Sequence, residues 1–198
     1  LFDLFFKFVI MNRILLAFFL VFTWTNIFSQ DSPNKGAIHI GNQIVYVFAP
    51  EGWVIDYDAA KEMEVDLAMY KNGESMEKSE TMMYVNVEML KDRDFSSLDQ
   101  LLDFEIKNLK KNFADIQIVE AEQMLVNYKD IAKVRHLSGK SFGNFEARAY
   151  MADAKMATTF VMSSKTKEGF DACQSPFKML VTSFSSVTDN LEVEAGDK

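Results

Sequence analysis

Hydrophobic and polar side chains alternate along several stretches of the chain, which is typical of strands with one buried face. Residues 81–89 give the clearest case, with an apolar residue at every second position: Met83, Val85, Val87 and Met89. The pattern predicts further extended segments at 37–40, 43–49, 53–55, 63–70, 116–125, 131–137, 144–152 and 156–163. Between the first two, Gly41 and Asn42 form a turn pair that predicts a hairpin.

Two segments carry the spacing of three and four residues that predicts helices. The first stripe consists of Leu98, Leu101, Leu102, Ile106, Leu109 and Phe113. Ser97 and Gln100 have the spacing of a capping box at its start. In the second helix, Ser175 is the expected cap and Pro176 lies in the first turn, where a missing N–H costs nothing. Its stripe is Phe177, Leu180, Val181 and Phe184.

The connections between the later strands are short, so neighbouring strands are expected to pair antiparallel. The order of elements therefore predicts an α+β domain over residues 37–186. A polar lead-in at 30–36 precedes it, and an acidic tail at 187–198 has little to bury and is expected to be disordered. Residues 71–80 form a polar loop longer than a hairpin needs, and such loops often carry function.

The first 29 residues read as a leader rather than as part of the domain. Residues 1–10 are interpreted as upstream read-through, because Met11, Asn12 and Arg13 supply a start and a positive charge before the apolar run at 14–22. Cleavage is expected between Ser29 and Gln30. No cysteine lies just beyond the apolar run, which argues against lipid attachment, so an exported periplasmic or extracellular protein without a stable membrane anchor is predicted. An uncleaved anchor remains the alternative.

Charge and cysteine usage narrow the classes of function. The chain has 29 acidic and 21 basic residues, a formal net charge of −8, which disfavours a nucleic-acid surface. Cys173 is the one cysteine, so no intramolecular disulfide can form. Stability must come from packing.

Three segments resemble the PsbP-like superfamily in sequence and in order: Pro50-Glu51-Gly52-Trp53-Val54, residues 70–75 and residues 83–87. The apolar stripe of the C-terminal helix also looks like the closing helix of that family. The resemblance, to exported bacterial members of unknown function, implies an α/β/α sandwich with a central, mostly antiparallel sheet and two main helices. It also implies a non-enzymatic scaffold, and it offers no catalytic residue to carry over.

Candidate catalytic and metal-binding residues are few. Cys173 and His136 are the obvious nucleophile and base, but their spacing does not support a dyad, and a packed cysteine is the preferred interpretation. His39 and His136 are far apart for a zinc site. Asp56 with Asp58, and Asp92 with Asp94, lack the glycine and distal glutamate of a calcium loop and are interpreted as turn carboxylates. No metal or cofactor is expected.

The leading functional hypothesis is a non-catalytic binding or accessory domain that offers a sheet face or the 71–80 loop to a protein or a small apolar ligand. The candidate binding residues are Trp53, Tyr70, Lys71, Asn72, Glu74 and Tyr84. Trp53 is at the same time the expected structural plug of its turn, since large aromatic side chains dominate cores. Two alternatives stay open: a hydrolase or redox enzyme using Cys173 or His136, and a periplasmic lipid or lipoprotein carrier with an apolar cavity.

Overall fold

The computed structural model describes residues 34–93, 95–153 and 155–188. The expected leader at 11–29, the upstream residues 1–10 and the cleavage site between Ser29 and Gln30 lie outside the described residues. So do Asp94 and the tail beyond residue 188. No helix within the described ranges is long and apolar enough to span a membrane.

The described residues form eleven strands and four α-helices, with one short 3-10 helix at Leu90–Arg93. The strands are β1 Lys35–Ile40, β2 Gln43–Phe48, β3 Trp53–Asp56, β4 Leu67–Lys71, β5 Thr81–Met89, β6 Gln117–Glu120, β7 Met124–Val126, β8 Asp130–Ser138, β9 Phe145–Ala152, β10 Met156–Ser164 and β11 Ser185–Thr188. The helices are α1 Tyr57–Glu62, α2 Leu98–Asn112, α3 Lys167–Ala172 and α4 Gln174–Thr182.

Two antiparallel sheets are present. The main sheet has the order β3-β4-β5-β10-β9-β8-β6, and β7 pairs with the remaining length of β8. The small sheet has the order β1-β2-β11. The hairpin predicted around Gly41 and Asn42 is confirmed, with Ile40 opposite Gln43 and Gly41 in the left-handed conformation at φ 57°. The α+β class with mostly antiparallel strands is confirmed.

The main core lies on one face of the main sheet, called the inner face here. Met83 and Phe160 project from that face into a cluster with Val47 of the small sheet and with Phe177 and Leu180 of α4. All five are fully buried or nearly so. The small sheet and helices α3 and α4 therefore form the layer that covers the inner face.

The opposite, outer face of the main sheet is covered in part by the other two helices. Ala59 and Ala60 of α1 pack on Ala68 of β4, and Leu101 of α2 packs with Ala157 of β10. Helices thus lie on both sides of the sheet, which is the α/β/α arrangement expected from the sequence. Between α1 and α2, the outer-face residues Met82, Tyr84 and Asn86 of β5 are half-buried, so the face is partly open there.

Helix α2 forms as its apolar spacing predicts. The Ser97 hydroxyl accepts a hydrogen bond from the backbone N–H of Gln100 at 3.3 Å, which satisfies one free donor of the first turn. The reciprocal half of the capping box differs from expectation, because the Gln100 side chain accepts from the N–H of Ser96 rather than from that of Ser97. Leu101 and Leu102 are buried, and Phe104 on the far side is 45% exposed.

The prediction of a strand over 63–70 is wrong in its first half. Residues 57–62 form α1, because the Asp56 carboxylate accepts from the N–H of Ala59 at 2.9 Å and so caps a helix. Glu64 then turns the chain in a left-handed conformation, φ 57°, and β4 begins only at Leu67. Asp56 is therefore a helix cap and not a simple turn carboxylate.

Two further boundaries differ from expectation. The predicted strand at 116–125 is divided into β6 and β7, both paired with β8, and between them the N–H of Ala121 donates to the carbonyl of Val134 at 2.9 Å. Ser175 is not a helix cap, because α4 starts at Gln174 directly after α3 and has Cys173 at its cap position without a side-chain bond.

Regular structure also extends past both expected ends of the domain. β1 begins at Lys35, within the expected lead-in, because its six residues pair along the full length of β2. β11 ends at Thr188, within the expected tail, because residues 187 and 188 pair with Ile44 and Gln43.

Candidate binding site

The candidate residues predicted from the sequence fall into three separate environments. Trp53 is 6% exposed and belongs to the main core, which suits a structural plug. Tyr70 and Tyr84 lie on the outer face, since Ala68 of β4 is directly opposite Tyr84 in the register and Tyr70 shares its phase. The remaining three candidates, Lys71, Asn72 and Glu74, are exposed on the 71–80 loop.

The outer face carries a group of polar side chains that the sheet register brings together. Tyr84 of β5 is opposite Val161 of β10, and Val161 is opposite Arg148 of β9. Directly opposite residues share a face, so Tyr84 and Arg148 flank one apolar side chain. Glu146 and Tyr150 lie on the same face of β9, two positions on either side of Arg148.

Hydrogen bonds and one ion pair link Glu146, Arg148 and Tyr150 to Glu105 of α2. Arg148 donates from Nε and Nη2 to Oε2 of Glu146, at 2.9 and 2.8 Å. Its Nη1 lies 3.8 Å from Oε2 of Glu105 on α2. The Tyr150 hydroxyl donates to the same Glu105 oxygen at 2.8 Å. Tyr84, Glu105, Glu146, Arg148 and Tyr150 are called the polar cluster below.

The polar cluster is buried at its base and open at its rim. Glu146 and Tyr150 are 5% and 2% exposed, whereas the side chains of Arg148 and Glu105 keep 16% and 25% of their surface exposed. Tyr84 is half-buried. The cluster thus holds the Arg148 guanidinium in place at a half-open surface, beside the partly exposed ring of Tyr84.

Burial and the neighbouring charges set the protonation of the cluster. Burial, followed by the charge of Glu146, raises the pKa of Tyr84 to about 12. Burial and Glu105 likewise raise the pKa of Tyr150. For Arg148, burial pulls the pKa down, but Glu146 and the two tyrosines outweigh it, so the net shift is upward. Near neutral pH the two phenols keep their protons and Arg148 keeps its charge.

Tyr70 lies on a different part of the outer face, where its hydroxyl makes a structural hydrogen bond. Its hydroxyl donates to the Asp56 carboxylate, which also caps α1. The N–H of Ala59 and then this hydroxyl hold the pKa of Asp56 below its ordinary value. The Tyr70 hydroxyl therefore supports the cap of α1.

The 71–80 loop is held to the domain by several contacts. Ser79 is fully buried and its hydroxyl donates to Oε2 of Glu74 at 2.7 Å. Met76 packs against the alanine cluster of α1, and the N–H of Asn72 donates to the carbonyl of Gly52 at 2.8 Å. Glu74 thus fixes the loop, while Lys71 and Asn72 present their side chains to solvent.

Cys173 and His136, the residues of the enzyme alternative, lie in packed surroundings. Cys173 is 1% exposed within the main core. His136 meets the ring of Phe170 edge-on with centroids 5.1 Å apart, and burial, then the charge of Lys167, lowers its pKa. No hydrogen bond joins the two side chains, both of which are described. Within residues 34–93, 95–153 and 155–188, no group of three His, Cys, Asp or Glu side chains could hold a metal ion.

Four members of the polar cluster were not among the candidates: Glu105, Glu146, Arg148 and Tyr150. Two signals in the sequence point to them. Glu146, Arg148 and Tyr150 occupy alternate positions of a predicted strand with strands on both sides, so one face of a central strand is polar. Glu105 lies four residues after Leu101 and four before Leu109, within the apolar stripe of α2.

Comparison with known proteins gives similarity in structure but not in sequence. No protein-family model and no curated protein matches the chain. The solution structure of cyanobacterial PsbP (CyanoP) from Synechocystis sp. PCC 6803 is 14% identical and has a TM-score of 0.48, covering 77% of this chain and 96% of its own. The crystal structure of the Saccharomyces cerevisiae Ran-binding protein Mog1p is 12% identical with a TM-score of 0.44, covering 78% and 96%. The chain is similar in fold to PsbP, as its sequence resemblance implies, and at these identities the similarity concerns the fold alone.

Proposed function

We propose that this chain is an exported, non-catalytic binding domain and that it binds a protein partner with the half-open part of its outer sheet face. The polar cluster carries the proposal. Its charged side chains and Tyr150 are held by one another, and Arg148 and Tyr84 at its rim are partly exposed between α1 and α2. Tyrosine and arginine are the residue types that most often dominate the binding energy of protein interfaces.

Rigidity favours this surface over the loop. A binding site loses less free energy on association when its side chains are already ordered. Arg148 is held by two hydrogen bonds to Glu146, and Glu105 is shared between Tyr150 and Arg148. Lys71 and Asn72 on the loop have flexible or short exposed side chains, so the loop is the second choice as the contact surface.

The preference for a protein over a small apolar ligand rests on the character of the surface. Sites for drug-sized ligands are concave and mostly apolar, with volumes of about 300–1,000 Å³. The polar cluster instead presents a guanidinium, carboxylates and a phenol on a sheet. A lipid or lipoprotein carrier would use an apolar interior, and the side chains on the inner face are tightly packed against one another.

A comparison of captured partners tests the surface. The purified protein, a Tyr84→Ala variant and a variant whose residues 71–80 are shortened to a Gly-Ser turn would be used to capture proteins from the export compartment. The matched control is a Glu168→Lys variant, which changes an exposed residue of α3 on the inner side of the main sheet. We expect a partner retained by the control and the shortened loop but lost with Tyr84→Ala. Loss with the shortened loop alone would contradict the proposal.

The export part of the proposal rests on the apolar run at 14–22 and the small residue Ser29. Mass analysis of the protein isolated from the expressing cell tests it. A mature N-terminus at Gln30, unmodified or cyclised, is the expected result. A chain that retains Met11 and stays with the membrane would identify the segment as an anchor.

A further inference from the structure

A second concave site lies at one end of the main sheet, where the β7–β8 turn, the β9–β10 turn and the chain entering β11 meet. It is a cleft of about 200 Å³. Met151, Met156 and Phe184 lie at its floor and are 5%, 2% and 6% exposed, and polar atoms form the larger part of its surface. Lys129 and Asp130 contribute to its polar rim. The cleft is separate from the polar cluster, because Met151 and Met156 belong to the inner-face core.

β11 adjoins this cleft and is an edge strand. It pairs with β2 on one side and is the last strand of the small sheet in the described residues. Ser186 belongs to β11 and also lines the cleft. An edge strand directs alternate N–H and C=O groups outward, and natural edges are protected by charge, proline, bulges or very short length. β11, Ser-Ser-Val-Thr, carries neither charge nor proline, and of these features it has only the short length, four residues.

We propose that the free edge of β11 and the adjoining cleft together bind an extended segment of another polypeptide. The segment pairs with β11 as an added strand, so that main-chain hydrogen bonds supply affinity. One of its large aliphatic or aromatic side chains enters the cleft and contacts Met151, Met156 and Phe184. The occupant is a strand-forming segment with a single apolar anchor.

Size argues for a short segment over the other occupants. At about 200 Å³ the cleft is smaller than the roughly 300–1,000 Å³ of sites for drug-sized ligands, and it suits one side chain. A stable complex of two folded proteins buries about 800 Å² on each partner, more than a four-residue edge with one cleft provides. A second copy of this chain is therefore a poor occupant.

Charge at the rim indicates what should lie beside the apolar anchor. Two carboxylates, Asp130 and Asp153, and one amine, Lys129, line the cleft. Among the described residues neither Lys129 nor Asp130 takes part in an ion pair. Asp153 uses Oδ1 to accept from the N–H groups of Lys155 and Met156. The excess of carboxylate favours a segment with a lysine or arginine next to its anchor.

Tyr128, which precedes Lys129 at the tip of the β7–β8 turn, supports the assignment independently. It is 98% exposed and has a left-handed backbone, φ 62°, which costs a bulky residue free energy. With Asn127 at φ 48° and the N–H of Lys129 donating to the carbonyl of Val126, this conformation closes the β7–β8 hairpin turn. The exposed ring of Tyr128 is placed beside the rim, where it can cover a segment lying over the cleft.

A peptide of known sequence tests the proposal on the purified protein. The probe is a capped seven-residue peptide in which threonine and valine alternate around a central leucine followed by lysine. Its controls replace the leucine by alanine, or carry N-methyl groups on every second backbone nitrogen in one phase or the other. We expect the alanine peptide to bind at least tenfold more weakly. One N-methylated phase should lose binding while the other retains it, because only one edge of the peptide pairs with β11.

Variants of the chain locate the site. Ser186 is exposed, lines the cleft and lies opposite the core residue Val45, so Ser186→Phe should fill the cleft and weaken peptide binding at least tenfold. Ala114→Phe, at an exposed alanine away from the cleft, should have no effect. Amide NMR shifts on binding should centre on residues 185–188.

Several results would overturn the proposal. The first is that the peptide does not bind at millimolar concentration. The second is that the two N-methylated peptides bind equally well, and the third is that the amide NMR shifts centre on the outer face. Self-association abolished by Ser186→Phe would assign the edge to a second copy and overturn it as well. If Ser186→Phe fails to fold, the two N-methylated peptides still decide.

Discussion

Arg148 donates twice to one carboxylate oxygen of Glu146, two residues before it on the same strand, and this pair lies at the base of the proposed binding face. Neighbours two apart on a strand point to the same side. A guanidinium bonded twice to one carboxylate is restricted in orientation. The pair therefore fixes where Arg148 presents its remaining N–H groups at the open rim.

Removing one partner of this pair should cost far more than removing both. Arg148→Met leaves Glu146, 5% exposed, without its counter-charge, and breaking a buried pair costs about 3 kcal/mol. The double variant Glu146→Leu with Arg148→Met should regain most of that loss. The measurement is urea unfolding near neutral pH. Lys167→Met, which breaks an exposed pair with Asp171, is the control and should cost under about 1 kcal/mol. A loss in Arg148→Met no larger than in the control would contradict the buried network.

Stability should fall in alkaline solution because of the cluster tyrosines. The pKa of Tyr84 is raised from 10.0 to about 12, so its contribution is fully present below about pH 10 and is lost as the pH rises toward 12. Tyr150 adds to the loss in the same direction. Free energies of unfolding measured across this range should decline less steeply for Tyr84→Phe than for the unchanged protein. Tyr128→Phe, at an exposed tyrosine, should leave the slope unchanged; an equal effect of the two would argue against a buried Tyr84.

The polar cluster also shows which parts of the fold and of the binding site can be predicted from the sequence. The alternation of apolar and polar residues predicted β5 correctly, because every second side chain of that strand is buried in the main core. The same reasoning did not find α1, because a six-residue helix needs only a cap such as Asp56 and a few alanines, and has too few turns for a periodic pattern. The role of Glu105 could not be read from its place beside the apolar stripe of α2, since its partners Tyr150 and Arg148 lie more than 40 residues away in sequence.

Replacing Tyr128 with asparagine should not destabilise the fold and should stabilise it by about 0.5 kcal/mol, since asparagine tolerates the left-handed region. Tyr128 is 98% exposed, so little burial is lost. Denaturant unfolding measures the change. Lys129→Asn, one position along the same turn, is the control and should give no stabilisation. A substantial loss of stability in Tyr128→Asn would mean that the tyrosine packs within the domain.

Cys173 should react slowly with iodoacetamide in the native protein. Its thiol is 1% exposed in the main core, so labelling requires the α3–α4 region to open. The labelling rate, followed by mass spectrometry, should rise with added urea in step with unfolding. Rapid labelling without denaturant would favour the hydrolase or redox alternative, because a catalytic thiol must be accessible and partly ionised.

The most direct test of the binding face is site-specific photo-cross-linking in the cell that exports the protein. A photoreactive amino acid would replace Tyr84 on the outer face, Asn72 on the loop or Glu168 on α3, one at a time. The account predicts a discrete adduct with the same partner protein from position 84, and none from position 168. Adducts from position 72 or 168 with none from position 84 would contradict the claim that the outer face is the binding surface.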